Sequence, residues 1–150
     1  MRLYKKILLP TDGSEYSEKA GEHAIWIAEK SISQIIVLNV IDTSYLRSIP
    51  QHDLELSLEE QFKEEGNMAV KKFSEKLEES QCEGTCKNVQ FTSLIKKGKP
   101  ADEILKIIKE EEIDLVVMGA SGKHGLNRLY PGSVTERVVR SANCPVLVVK

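Results

Sequence analysis

Glycines are concentrated in one short stretch of the chain, residues 118–135, which reads MGASGKHGLNRLYPGSVT. The stretch follows an apolar run that is typical of a buried strand, and it leads into a sequence that is typical of a helix. Glycines expose backbone N–H groups without side-chain obstruction, and a helix N-terminus adds the positive end of its dipole. The spacing therefore predicts a cradle for a phosphate group, built on the pattern Gly119-x2-Gly122-x9-Gly132-Ser133.

Polar side chains of the same stretch fit this chemistry. Ser133 and Thr135 carry hydroxyl groups that can donate to phosphate oxygens, although both could instead cap the helix that follows. Lys123 and Arg128 could supply positive charge from the loop. Met118 is expected to pack in the core and to contact the ligand incidentally.

A second polar turn, Pro10-Thr11-Asp12-Gly13-Ser14, follows the first apolar run of the chain. The carboxylate of Asp12 does not bind a phosphate directly, because like charges repel. It suits a Mg²⁺ ion held on the phosphates, or a ribose hydroxyl that donates to it. The sequence contains no G-x4-G-K-[ST] run, which excludes a Walker A loop. The turn after the first strand contains the single glycine Gly13, which excludes a G-x-G-x-x-G fingerprint there.

Strands and helices alternate along the chain. Apolar and β-branched runs predict strands at Lys6–Pro10, Gln34–Ile41, Asn88–Lys96, Leu115–Met118 and Pro145–Val149. Capping residues and apolar stripes predict a helix that begins at Ser14–Ser17 and helices at Leu54–Ser80 (with Gly66 interrupting its buried face), Ala101–Glu112 and Val134–Ser141. The segment Asp42–Asp53 is predicted to be a loop.

This alternation predicts an α/β fold, a three-layer sandwich with helices on both faces of a five-stranded parallel sheet. Ligands of such sheets bind beyond the carboxyl ends of the strands, where the strand order reverses. If the two polar turns form one site, strands 1 and 4 are neighbours, and right-handed crossovers give the order 3-2-1-4-5. We expect one domain, residues 1–150.

The overall composition argues against two classes of partner. A net charge of −2, with basic residues scattered among acidic ones, favours neither nucleic acid nor an anionic membrane surface. No apolar run suits a signal peptide or a membrane span, so we expect a cytoplasmic protein. The histidines predict no zinc site, and the cysteines are expected to be free thiols, although Cys82 and Cys86 could pair across a tight loop.

Together these motifs resemble those of the universal stress protein family, in its ATP-binding branch, over essentially the whole chain. The matching segments are KKILLPTDGS at Lys5–Ser14, VLNVID at Val37–Asp42, GKPADEI at Gly98–Ile104, and MGASGKHG, GSVTERVVR and CPVLVVK further on. The resemblance implies a Rossmann-like fold of the adenine nucleotide alpha hydrolase type. It also implies ATP in the cleft between strands 1 and 4, with Mg²⁺ or Mn²⁺ as a companion ion.

The resemblance further implies roles for individual residues. Pro10, Thr11 and Asp12 would flank the nucleotide, the backbone around Val40 would contact adenine, and Gly98 would lie close to the ribose. The residues that would line the loop are Met118, Gly119, Gly122 and Lys123, and those that would hold the phosphates are Gly132, Ser133, Val134 and Thr135.

The resemblance implies a homodimer through the fifth strand, residues 145–149. The apolar edge of that strand gives an independent reason, because an unpaired hydrophobic edge invites a partner strand. Pro131 fixes the backbone next to Gly132, where it could preorganise the turn or alter loop closure.

Three functions remain open on the sequence. The first is an ATP-binding signalling or stress-response module whose nucleotide controls a surface for an unidentified protein partner. The second is a slow or partner-activated ATPase, for which Asp12 and His124 are available but no recognisable catalytic pair is present. The third is a nucleotide-independent dimeric scaffold, against which the intact glycine spacing argues. We favour the first.

Overall fold

The computed structural model describes residues 3–82, 89–121 and 132–150. Five parallel strands form a sheet in the order β3-β2-β1-β4-β5, as the crossover argument predicts. The strands are β1 (Lys6–Pro10), β2 (Gln34–Asp42), β3 (Phe91–Gly98), β4 (Leu115–Gly119) and β5 (Val146–Val149). The helices are α1 (Glu15–Ser31), α2 (Thr43–Arg47), α3 (His52–Cys82), α4 (Pro100–Glu110) and α5 (Ser133–Ser141).

Two apolar clusters lie on opposite faces of the sheet, because successive side chains of a strand point to opposite faces. The cluster under α1 and α3 contains Ile7, Leu9, Ala24, Val37 and Phe73. The cluster under α4 and α5 contains Leu8, Leu38, Ile104, Met118 and Val138. Burial of each large side chain contributes about 1.5–3 kcal/mol, so these clusters provide the main stabilisation of the three layers.

The first helix begins where its capping residues predict. The Ser14 hydroxyl accepts a hydrogen bond from the Ser17 N–H at 3.3 Å, which satisfies one of the free donors of the first turn. Ala20, Ala24 and Ala28 are fully buried, so α1 lies close against the sheet. This packing fixes the helix start beside the end of β1.

The segment predicted as a loop, Asp42–Asp53, contains the short helix α2 and the first residues of α3, so that prediction was wrong in part. Asp42 ends β2 and caps α2, since its Oδ1 accepts from the N–H groups of Ser44 and Tyr45 at 3.0 and 3.3 Å. The carboxylate of the last residue of β2 thus also caps the helix that follows.

The helix α3 is continuous through Gly66, as the prediction of one long helix requires. The spacing of apolar residues predicts a buried face made of Leu58, Phe62, Ala69, Phe73 and Leu77. Ala69, Phe73 and Leu77 are buried, whereas Leu58 and Phe62 are only partly buried. The reason is length, because a helix of 31 residues spans about 46 Å and a strand of nine residues about 30 Å. The N-terminal part of α3 therefore extends beyond the carboxyl end of the sheet.

Other boundaries shift by a few residues. β3 begins at Phe91 rather than Asn88 and continues to Gly98, and α4 ends at Glu110 rather than Glu112. No helix within the described ranges is long and apolar enough to cross a lipid bilayer.

Candidate functional site

The turn after β1 is held in place by its own side chains. Asp12 Oδ1 accepts from the Ser14 N–H at 2.9 Å and lies 3.1 Å from the Ser17 hydroxyl. Thr11 Oγ1 accepts from the Gly13 N–H at 3.2 Å. Gly13 has a φ of 78°, a conformation that glycine adopts without steric cost. The Asp12 carboxylate is therefore fixed where β1 ends and α1 begins.

Thr11 also connects this turn to β2. Its N–H donates to Leu38 O at 2.8 Å, and its carbonyl accepts from Asn39 Nδ2 at 2.9 Å. Asn39 is 7% exposed and lies against α3, where a Cβ on Gly66 would come within 2.3 Å of Asn39 Oδ1. This contact is not predicted above, although a polar amide in the apolar run QIIVLNVI indicates a buried hydrogen bond.

Three of the predicted ligand contacts share one face of the sheet. Met118 belongs to the apolar cluster under α4 and α5, and Val40 packs against that cluster. Pro10 lies on the same face as Leu8, because it is two residues further along β1. Since β2, β1 and β4 are adjacent, Val40, Pro10 and Met118 form a continuous apolar edge at the carboxyl end of the sheet.

Gly119 has a packing reason to be glycine. A Cβ at this position would lie 2.7 Å from Tyr16 Cβ and 2.9 Å from the Tyr16 carbonyl carbon. The bare Cα thus lets the first turn of α1 contact the end of β4. This contact explains the close approach of the backbone at Gly119 without a ligand.

Gly98 lies at the end of β3, opposite Asp42 of β2, so β2 separates it from β1. Its φ is 156°, and a Cβ there would come within 2.7 Å of Glu103 Oε1. The residue therefore makes room for the Glu103 side chain at the start of α4. This packing is compatible with the expected position near a ribose, which the structure leaves as a prediction.

The N-terminus of α5 faces the end of β4. Gly132 is the N-cap residue, its N–H donates to Ala120 O at 2.8 Å, and no side chain among the described residues caps the helix. The alternative that Ser133 or Thr135 caps α5 is therefore wrong. Thr135 is buried, and its hydroxyl donates to Gly119 O at 2.9 Å. That proton is used within the protein, whereas Ser133, the first residue of α5, is exposed.

Some predicted positions lie outside the described residues. They are Gly122, Lys123, His124, Arg128 and Pro131, together with the pairing considered for Cys82 and Cys86. Across ranges 3–82, 89–121 and 132–150, no three His, Cys, Asp or Glu side chains are grouped as a metal site would require.

A groove of about 220 Å³ opens beside Thr11 and Gly13, between α1 and α3. Its basic side chains are compensated across the groove. Lys72 Nζ lies 3.2 Å from Glu18 Oε1, and Lys76 Nζ lies 2.7 Å from Glu22 Oε1. The two lysines of α3 are therefore paired with glutamates of α1.

Comparison with known proteins identifies the family. The model of the universal stress protein family matches residues 3–150. The chain belongs to this family. It is 41% identical to the universal stress protein MJ0531 of Methanocaldococcus jannaschii, over 99% of this chain and 83% of that protein. Its structure matches that of the hypothetical protein MJ0577 with a TM-score of 0.81 and 35% identity, covering 99% of this chain and 96% of that chain.

Two more distant structures of the family contain nucleotides. A universal stress protein in complex with cAMP is 20% identical, with a TM-score of 0.68 and coverage of 97% of this chain and 96% of that chain. A family member from Arabidopsis thaliana with AMP bound is 23% identical, with a TM-score of 0.65 and coverage of 97% and 91%. At these identities the likeness of the two structures shows the fold alone. The predicted family is confirmed by the family model and by MJ0531, and the predicted fold by the structure of MJ0577.

Proposed function

We propose that this universal stress protein binds ATP at the carboxyl ends of β1 and β4, and that nucleotide occupancy controls the surface offered to a protein partner. The observation that carries the proposal is the N-terminus of α5, which lies beside the end of β4, has glycine as its N-cap residue and receives no side-chain cap from the residues that the structure describes. Such a terminus presents free N–H groups and a positive dipole end to an anion.

The N-termini of α1 and α2 differ from that of α5 in this respect. Ser14 caps α1, and Asp42 caps α2 with a carboxylate that would repel a phosphate. At α5 no described side chain competes for the backbone donors of Ser133, Val134 and Thr135, and the Ser133 hydroxyl can add a further donor. The residues present therefore fit a phosphate chain that ends at Gly132.

The other end of the site suits an adenine base. Pro10 and Val40 are half-buried and offer an apolar edge on the face under α4 and α5, next to the buried Met118. A planar base can pack on such an edge while its polar atoms meet the backbone of the strand ends. The AMP and cAMP complexes within the family support an adenine nucleotide as the ligand class.

Asp12 is the residue that would hold Mg²⁺ or Mn²⁺ with the nucleotide. Its Oδ1 is oriented by the Ser14 N–H at the end of β1. Mg²⁺ commonly binds through one or two carboxylates and the phosphates of its nucleotide, so a single carboxylate is sufficient on the protein side.

Binding of ATP to the purified protein, with and without Mg²⁺, tests the proposal by isothermal titration calorimetry. Nucleotide released by heat denaturation is identified first by mass spectrometry. We expect saturable binding of about one ATP per chain, and recovered ADP would favour the slow ATPase. Absence of ATP binding under both conditions would overturn the proposal and favour the scaffold.

A further inference from the structure

The backbone pairing of β1 with β2 ends one hydrogen bond early. Pro10 lies opposite Leu38, and the Thr11 N–H continues the parallel ladder to Leu38 O at 2.8 Å. The next bond of a parallel ladder would run from the Val40 N–H to Thr11 O. In the described part of the chain Thr11 O accepts instead from Asn39 Nδ2 at 2.9 Å, and no bond from Val40 to Thr11 is present.

The Asn39 side chain replaces that bond because α3 leaves room for it. Its amide extends from the face under α3 to the edge between β1 and β2, and it is 7% exposed. A Cβ on Gly66 would lie 2.3 Å from Asn39 Oδ1 and 2.9 Å from Asn39 Cγ. Glycine in the middle of α3 therefore permits the orientation in which Asn39 reaches Thr11.

We propose that Asn39 is a positioning residue that keeps the Val40 N–H available to the base of the bound nucleotide. This inference rests on the proposed function. By donating to Thr11 O, Asn39 competes with the Val40 N–H for the acceptor that would otherwise draw this N–H into the sheet. A free backbone donor selects a base with a ring acceptor, and N1 of adenine is an acceptor where N1 of hypoxanthine or guanine carries a proton. A donor that meets another donor leaves both unpaired, which penalises the wrong base.

Base discrimination tests this role, because a purely structural defect would weaken all ligands together. The Kd values of ATP, ITP and inorganic tripolyphosphate are measured for the wild type, Asn39→Ala and the near-isosteric Asn39→Asp. In both variants we expect the preference for ATP over ITP to fall about tenfold, the loss of one hydrogen bond. Tripolyphosphate affinity should stay within about twofold, since α5 is unchanged.

Ser33→Ala is the matched control. Ser33 is 4% exposed and its hydroxyl donates to Tyr4 O at 2.7 Å, so it is also a buried donor to a backbone carbonyl. It lies at the opposite end of the sheet from Asn39, just before β2 begins. Its removal should lower stability while leaving the ATP-to-ITP ratio at the wild-type value.

A measurement without ligand checks the geometry even if a variant is unstable. The scalar coupling across a hydrogen bond from the Val40 amide nitrogen to the Thr11 carbonyl carbon is expected to be absent in wild type and present in Asn39→Ala. A coupling in wild type, or an unchanged ATP-to-ITP ratio in Asn39→Ala, would overturn the role of Asn39. Failure of the wild type to bind ATP would instead refute the proposed function and, with it, the base contact of Val40.

Discussion

Thr135 Oγ1 donates a hydrogen bond of 2.9 Å to the carbonyl of Gly119, joining the first turn of α5 to the last residue of β4. A second bond of 2.8 Å, from the Gly132 N–H to Ala120 O, lies beside it. The two ends of the glycine-rich segment are therefore held together by the chain itself. This link fixes the start of α5, where we propose that the phosphates bind.

Thr135→Val tests the importance of this link. Valine keeps the shape of threonine but leaves the buried Gly119 carbonyl without its donor, which should lower the free energy of unfolding by about 1–3 kcal/mol. ATP affinity should also fall, because one of the two hydrogen bonds that hold the start of α5 beside the end of β4 is lost. Urea denaturation and calorimetry measure the two effects. Thr135→Ser keeps the hydroxyl and should retain most of both, and equal behaviour of the valine variant and wild type would contradict the prediction.

Substitution of Gly132 separates helix capping from phosphate binding. Its φ of −64° is open to every residue, so Gly132→Asn and Gly132→Asp can both place an acceptor at the α5 N-cap. Each should raise stability by a few tenths of a kcal/mol. The aspartate also sets a negative charge beside the phosphates and should weaken ATP binding roughly a hundredfold, more than asparagine does.

Thermal unfolding and calorimetry on the same samples of the Gly132 variants check this opposition. Loss of stability in both variants would show that Gly132 does not act as an N-cap. Wild-type ATP affinity in Gly132→Asp would show that the phosphates lie elsewhere.

Gly119→Ala should destabilise the fold by about 1–3 kcal/mol, because the new methyl group would overlap the Tyr16 backbone. Gly21→Ala is the matched control. A Cβ at Gly21 lies 3.3 Å from a carbon of the Phe73 ring, which can shift, and alanine favours the helix by about 1 kcal/mol. Urea denaturation should therefore rank Gly119→Ala well below Gly21→Ala, and the reverse order would show that Tyr16 does not limit this position.

The sequence predicts the sheet well because its signals are local. A buried strand such as Lys6–Pro10 is recognisable from its own residues, and crossover handedness then fixes the strand order. The start of α1 is equally local, since Ser14 caps it from within the same turn.

The residues that the sequence analysis missed depend on contacts between distant segments. Asn39 meets the Thr11 carbonyl across 28 positions of the chain, and Gly66 makes room for Asn39 from a third element. Tyr16 explains Gly119 only once α1 lies against β4. The spacing of residue types predicts a role for Gly119, but the packing reasons for Gly119 and Gly66 required the folded chain.

The thiol of Cys144 should react slowly in the folded protein. Burial, and secondarily the negative charge of Asp114, raise the pKa of this thiol above its ordinary value. Because the pKa of the Cys144 thiol is higher in the folded protein than in the unfolded chain, the thiol contributes fully to stability below its unfolded-state pKa. This contribution is lost as the pH rises through its pKa in the folded protein. Alkylation of a Cys82→Ser, Cys86→Ser variant by iodoacetamide at pH 8 should be slower in buffer than in urea. Equal rates would contradict the shift.

Assembly through β5 can be tested at a single edge position. The N–H groups of Val116 and Ala120 donate to Pro145 O and Val149 O, so the odd-numbered residues of this segment bond to β4. Val146 and Val148 therefore direct their backbone groups away from the sheet, and the neighbouring Leu147 is 37% exposed. A two-fold axis would pair this edge with its copy as antiparallel strands.

Val148→Pro removes one outward donor while leaving the ladder to β4 intact, which proline permits on an edge strand. By sedimentation velocity we expect a wild-type dimer and a monomeric variant with an unchanged circular dichroism spectrum. Leu147→Pro is the contrasting variant, since it removes a donor to β4 and should lower the melting temperature. A monomeric wild type would refute the dimer. A dimeric Val148→Pro would mean that the subunits join through a surface other than the β5 edge.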